Sequence, residues 1–370
     1  MERERARYEK NRLKSQDIYH KVRAGEFEVL CGRIMSIELL LYCRKVPTIS
    51  EIEEVIIPLG FKIEKEFSGE EHHLYLWFEE KDLVSLRGCW LSWYNEEIGE
   101  APQGTLTVFV AKTYAGRSSE DLDMQNKVVR ELKKRFGGSV YDVETGRYSY
   151  LRNDIPKLGY PEKRCGLVYN RMKENIGRIK LVGREIPAEV KPILKEFDIL
   201  SFNENVIINN LLVPFLVASL EDFLRSFFIS YIESQSDVLG LIYEQKGKLE
   251  YATVRDLLGG KVTLAECEAN NYSFQNLNSA NSAFRQYVRV DLYNIWNRQK
   301  KYGGRIYRVL EVLQELLILR HRIIHEAYIK SDMSKNDVAK YTKFVEYAGE
   351  LLVHHLEKNM NFRIDLEKYV

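Results

Sequence analysis

Charge of one sign is missing from this chain. Lysine and arginine number 55 against 54 aspartates and glutamates, a formal net charge of +1. No general excess of positive charge exists to hold phosphates, which excludes a uniformly basic nucleic-acid coat. Long apolar runs are missing too. The longest near the middle, Leu211 to Leu220, contains Pro214 and is too short to span a bilayer, so no membrane association is expected. Met1 to Arg12 are almost all charged or polar, with no apolar stretch of the secretory kind. The cysteines Cys31, Cys43, Cys89, Cys165 and Cys267 are scattered, with no CxxC pair. An odd, dispersed set fits reduced thiols in a cytoplasmic protein and argues against a cysteine-based zinc site. What is present is the composition of a globular protein, 45% hydrophobic and 29% charged. Two domains of roughly 150–200 residues suit this length.

The first half reads as α+β. Residues 1–23 carry eight basic and four acidic side chains and suggest a solvated helix. From Phe27 to Cys43 apolar residues alternate, which fits strands with a turn near Gly32 and Arg33; a helix fits almost as well. Ser50 with Glu53 has the spacing of a capping box for a short helix ending near Pro58. The runs Phe61–Phe67, His73–Phe78, Cys89–Tyr94 and Thr105–Lys112 are rich in β-branched and aromatic residues, as in an antiparallel meander. Ser118 and Asp121 then cap a helix carrying Leu122, Val128, Val129, Leu132 and Phe136. Gly137-Gly138 ends it, and Ser139–Tyr141 begins another strand. The loop Ala115-Gly116-Arg117-Ser118 is either a capped turn, the favoured reading, or an anion site at a helix N-terminus. The strand-like runs stop around Pro187 and Pro192. The expected division is therefore an α+β domain with a mainly antiparallel sheet over 1–195 and an all-α bundle over 196–370.

In the second half a helix is expected from Val206 to Ser234, beginning or kinking at Pro214, followed by one over Ser279–Asn297 and one over Lys335–Asn359. Between the last two, Ile306, Leu310, Leu313, Leu317, Ile324 and Ala327 mark a stripe from Arg305 onward, and Arg320 fills its gap. A guanidinium on a stripe that faces the core or a cleft needs a carboxylate, a phosphate or a groove. His321 and His325 are four apart and share a face. Arg320 and His325 lie about 140° apart around the helix, so two such helices across an axis of symmetry would bring both sets into one groove. The adjacent pairs His72-His73 and His354-His355 read as surface residues.

The stretch Arg320-His321-Arg322-Ile323-Ile324-His325 resembles the HEPN superfamily motif: an arginine, a polar residue, three variable residues and a histidine. Leu319 precedes it. Upstream, Ala218-Ser219-Leu220-Glu221-Asp222-Phe223-Leu224-Arg225 looks like the early HEPN helix with its acidic residue. The resemblance is to the RiboL-PSP-type branch and covers about residues 200–360; residues 1–195 resemble no recognised family. It implies a helical bundle that dimerises and acts as a metal-independent endoribonuclease, without cofactor, in a toxin or antiviral-defence setting. His325 would then be the general acid or base, Arg320 the clamp on the phosphorane oxygens, and His321 an orienting residue, with Glu221 holding Arg320. Expected partners are RNA, a second copy of the chain, and an antitoxin or regulatory protein, with a sensor or regulatory role for the first domain. The alternatives are a structural Arg320 paired with Glu221 or Asp222, an ordinary helix histidine at 325, and a non-catalytic HEPN module that binds RNA, a nucleotide or a protein. A metal held by His321 and His325 lacks a clear third ligand besides Glu326.

Overall fold

Alternating burial builds the sheet. In the computed structural model, which describes residues 36–65, 73–95, 101–185, 204–244 and 249–368, β1 (Ser36–Cys43) turns Leu39, Leu41 and Cys43 into a core and leaves Leu40 and Tyr42 on the other face. It is joined by β2 (Lys62–Ile63), β3 (Tyr75–Trp77), β4 (Cys89–Tyr94), β5 (Thr107–Tyr114) and β6 (Ser139–Asp142). These form one sheet in the order β2-β3-β4-β5-β1-β6, each pairing antiparallel. Two helices contribute to its core, α1 (Ile49–Ile56) and α2 (Ser119–Phe136). The fold class is α+β. The expected turn near Gly32 and the helix over 1–23 lie outside the described residues.

The unit β5-α2-β6 forms as its punctuation implies. The Ser118 hydroxyl accepts the Asp121 N–H, and the Asp121 carboxylate accepts the Ser118 N–H, 2.9 Å away. Gly137 and Gly138 end the helix. Gly138 has φ +107 and lies so close to β1 that a Cβ would sit 2.3 Å from the Tyr42 carbonyl oxygen. The cap of α1 differs from expectation. Thr48 and Glu51 form it, two residues earlier than Ser50 and Glu53. Glu53 instead accepts a hydrogen bond from the Tyr75 hydroxyl on β3.

The chain divides at Lys157/Leu158, well before the expected residue 196. The cause is α3 (Tyr160–Glu185), which belongs to the second unit. Its buried residues Cys165, Val168, Tyr169, Met172, Ile176 and Ile179 share a core with α4 (Glu204–Ser234). Ion pairs between Arg164 and Glu233 and between Arg171 and Asp222 tie the two helices together. By length and composition α4 is apolar enough to cross a bilayer, yet Phe223, Phe227 and Phe228 pack within the protein. Burial of each such ring contributes roughly 1.5–3 kcal/mol. The helix runs through Pro214 rather than starting there.

Short helices follow: α5 (Ser236–Tyr243), α6 (Tyr251–Leu258), α7 (Leu264–Ala269), α8 (Leu277–Ala283) and α9 (Leu292–Trp296). The single helix expected over Ser279–Asn297 is thus broken. A five-residue π-helical segment, Phe284–Val288, ends at Arg289 in a left-handed conformation, and Asp291 caps α9 afresh. The second unit is also not all-α. Gln299–Tyr302 (β7) and Arg305–Arg308 (β8) form a hairpin closed by Gly303-Gly304, both at positive φ. Ile306, expected on a helical stripe, is an exposed strand residue there. Helix α10 (Val309–His325) and the Ser334-capped α11 (Lys335–Met360) complete the bundle with α3 and α4.

Candidate functional site

Val309, Val312, Leu313, Leu316 and Leu319 are the buried face of α10. Leu313 is shared with the expected stripe and Leu310 and Leu317 pack half-buried against the core, so the buried face is offset by about one residue, and the stripe begins only at Val309 because the hairpin takes Ile306. Ile324 is exposed, and Ala327 lies beyond the helix. Arg320 consequently sits at the margin of the buried face, half-exposed, while His321 and His325 are exposed. The two imidazoles stack loosely along one turn, with ring centroids 4.7 Å apart and planes tilted by 45°.

The neighbouring cation is committed elsewhere. Arg322 lies 3.5 Å over the Tyr328 ring, and its Nε is 3.4 Å from a Glu326 carboxylate oxygen. Arg320 has no hydrogen bond or ion pair among the described residues. The expected support from Glu221 is not formed. No ion pair joins Glu221 to Arg320 among the described residues, and the adjacent Asp222 is taken by Arg171, 3.0 Å away, and by Ser226. The purely structural reading of Arg320, paired with Glu221 or Asp222, therefore has no geometry behind it within one chain.

The helix ends sharply after His325. Ala327 adopts φ +50, and the Arg322 carbonyl accepts both the Glu326 and Tyr328 N–H groups, at 3.0 and 3.2 Å. Two buried asparagines on α4 then hold the connection to α11. Asn210 donates to the Lys330 carbonyl and accepts the Lys330 N–H, and Asn209 donates to the Met333 carbonyl. The sequence reading missed this pair. Their signal was two amides on an otherwise apolar helix, which a burial rule marks as needing partners.

The loop Ala115–Ser118 is a capped turn whose anion position is filled by the chain's own carboxylate. Asp121 accepts backbone N–H groups from Leu86, Arg87, Gly88 and Ser118. Arg117 is buried, donating to the Tyr114 carbonyl, and its burial lowers its proton affinity. His73 is half-buried against Trp93 rather than a surface residue, and His355 is half-buried too; His72 lies outside the described residues. No group of three or more histidine, cysteine, aspartate or glutamate side chains with metal-holding geometry occurs among the described residues.

Chemically, the end of α10 offers two exposed imidazoles one turn apart and one guanidinium unpaired among the described residues, all within six residues. Imidazole moves protons near neutral pH, and guanidinium grips a phosphoryl group through a fork of N–H donors. Compared with protein-family models, curated proteins and solved structures, the chain matches none.

Proposed function

We propose that the protein is a metal-independent endoribonuclease of HEPN type, working as a toxin or antiviral-defence effector. The observation that carries this reading is the state of Arg320. It stands half-exposed near the same helix end as the exposed His321 and His325, and no ion pair engages it among the described residues, so its guanidinium is open to a phosphate.

In this mechanism the RNA 2′-OH attacks the adjacent phosphorus and the 5′-oxygen leaves. His325 moves the proton as general acid or base, Arg320 holds the charge that grows on the phosphorane oxygens, and His321 orients the phosphate or the leaving oxygen. One helix alone holds Arg320 and His325 about 140° and about 7.5 Å apart along its axis. A two-fold pairing of the second unit would place an arginine from one copy near a histidine from the other, so the active form is a homodimer. The near-neutral total charge is compatible with this, since only the groove needs positive potential.

The test is incubation of the purified protein with RNA in EDTA. Cleavage by wild type, lost in both His325→Ala and Arg320→Ala, is the expected result. Equal cutting by His325→Ala would sink this reading, and intact RNA with wild type would leave a non-catalytic module in its place.

A further inference from the structure

A second cluster of cations lies at the other end of α10. The chain leaving α9 and the last turns of α11 form an open concavity of about 360 Å³, in which Arg298, His354 and Lys358 are exposed and His355 is half-buried. Arg298, His354, His355 and Lys358 line it, with Ile295 and Leu351 as an apolar wall, and no carboxylate lines it among the described residues. Among the described residues no ion pair engages Arg298 or Lys358. Lys358 alone would be explained by its place in the last turn of α11, where a cation offsets the helix dipole. Arg298 comes from a different element and has no such reason to be there. Like charges gathered in one concavity repel unless a counter-charge joins them.

His355 registers that repulsion. It is half-buried, with Nδ1 2.9 Å from the Asn359 amide nitrogen, so the ring accepts there and presents Nε2 elsewhere. Burial, then the positive charges of Arg298 and His354, hold its proton affinity below the ordinary histidine value. An anion in the cavity would reverse this penalty and recruit the imidazole as a donor.

We propose that this cavity binds a phosphorylated ligand of mononucleotide size. Arg298, Lys358 and the two histidines hold its phosphates, and Ile295 and Leu351 receive its apolar part. The volume falls at the small end of the range for ligand pockets, roughly 300–1,000 Å³. The site is separate from the Arg320 cluster. The Arg298 carbonyl accepts the N–H of Val309, the first residue of α10. His325 is the last residue of that helix, about 24 Å along its axis. The proposal therefore stands whether or not the protein cuts RNA.

The test is isothermal titration of the full chain with ADP, with inorganic pyrophosphate and with adenosine. ADP and pyrophosphate should bind and adenosine should not. The double variant Arg298→Ala/Lys358→Ala should weaken ADP about tenfold or more, because two charge-assisted contacts are lost. The milder Arg298→Gln should weaken it less, and Arg320→Ala should leave it unchanged. Absence of ADP and pyrophosphate binding, or wild-type ADP affinity in the double variant, would overturn the site. Loss of ADP binding in Arg320→Ala would do the same. A 5′-hydroxyl RNA oligonucleotide that displaces ADP and binds more tightly than it would assign these cations to an RNA path and overturn the small-ligand reading.

Discussion

Asn210 and Lys330 are joined twice. The Asn210 amide donates to the Lys330 carbonyl at 3.0 Å, and its carbonyl oxygen accepts the Lys330 N–H at 2.9 Å. Asn210 is buried on α4, while Lys330 lies in the short connection that follows His325. The pair anchors to α4 the connection that leaves α10, five residues beyond His325. Asn210→Ala strands both Lys330 backbone groups and should cost about 1–3 kcal/mol. Hydrogen exchange at residues 326–334 should speed up; unchanged protection there would show that the clamp is idle.

Asp121 plays the equivalent part in the sheet unit. One buried carboxylate serves four backbone N–H groups, three of them in the turn that enters β4. Asp121→Ala should destabilise this unit by about 3 kcal/mol or more, since several donors lose an ionised acceptor at once. Urea unfolding followed by the fluorescence of Trp77, Trp90 and Trp93 checks it.

Ala327 occupies a left-handed conformation that favours glycine. Ala327→Gly should raise the stability of the helical unit by about 0.5–1 kcal/mol, and a β-branched residue such as Val should lower it. An urea midpoint that moves the opposite way for the glycine variant would contradict the assigned turn.

The cap of α11 carries a pH dependence. Burial opposes ionisation of Asp337, but hydrogen bonds from Ser334 and the charges of Lys330 and Lys340 outweigh it, so its carboxyl lies below the ordinary value of 3.8. A carboxyl depressed in the folded state leaves the unfolded state binding more protons. Its stabilisation is complete above the unfolded value and fades as pH falls through the folded one. Ser334→Ala should therefore reduce stability near neutrality and flatten the acid limb below about pH 4. An acid limb as steep as that of wild type would exclude the cap as its source.

Much of the fold was legible where local chemistry and burial agree. Strand β4 matches its sequence run from Cys89 to Tyr94, and α2 lies between the signals at Ser118 and Gly137. Helix α11 follows its apolar spacing almost to the residue. The domain boundary was missed because α3 is a mainly polar helix whose core residues occupy one stripe. The spacing Cys165, Val168, Tyr169, Met172, Ile176, Ile179 was nonetheless a readable helical signal. The hairpin ahead of α10 was announced by Gly303-Gly304, but Ile306 fell in phase with the helical stripe and hid it. In the site, the shared face of His321 and His325 followed from spacing alone. The lack of a Glu221 contact did not, since it depends on Asp222 and Arg171 pairing across two helices.

In the proposed reaction RNA itself supplies the nucleophile, and Arg320 and His325 serve it. The most direct measurement is the end group left on a defined RNA oligonucleotide cut in EDTA, alongside the same oligonucleotide carrying one 2′-deoxy sugar at the cleavage position. The expected result is a 2′,3′-cyclic phosphate from wild type, no cutting at the deoxy position, and no product from either Arg320→Ala or His325→Ala. A product ending in a 3′-hydroxyl, or cutting at the deoxy position, would contradict it.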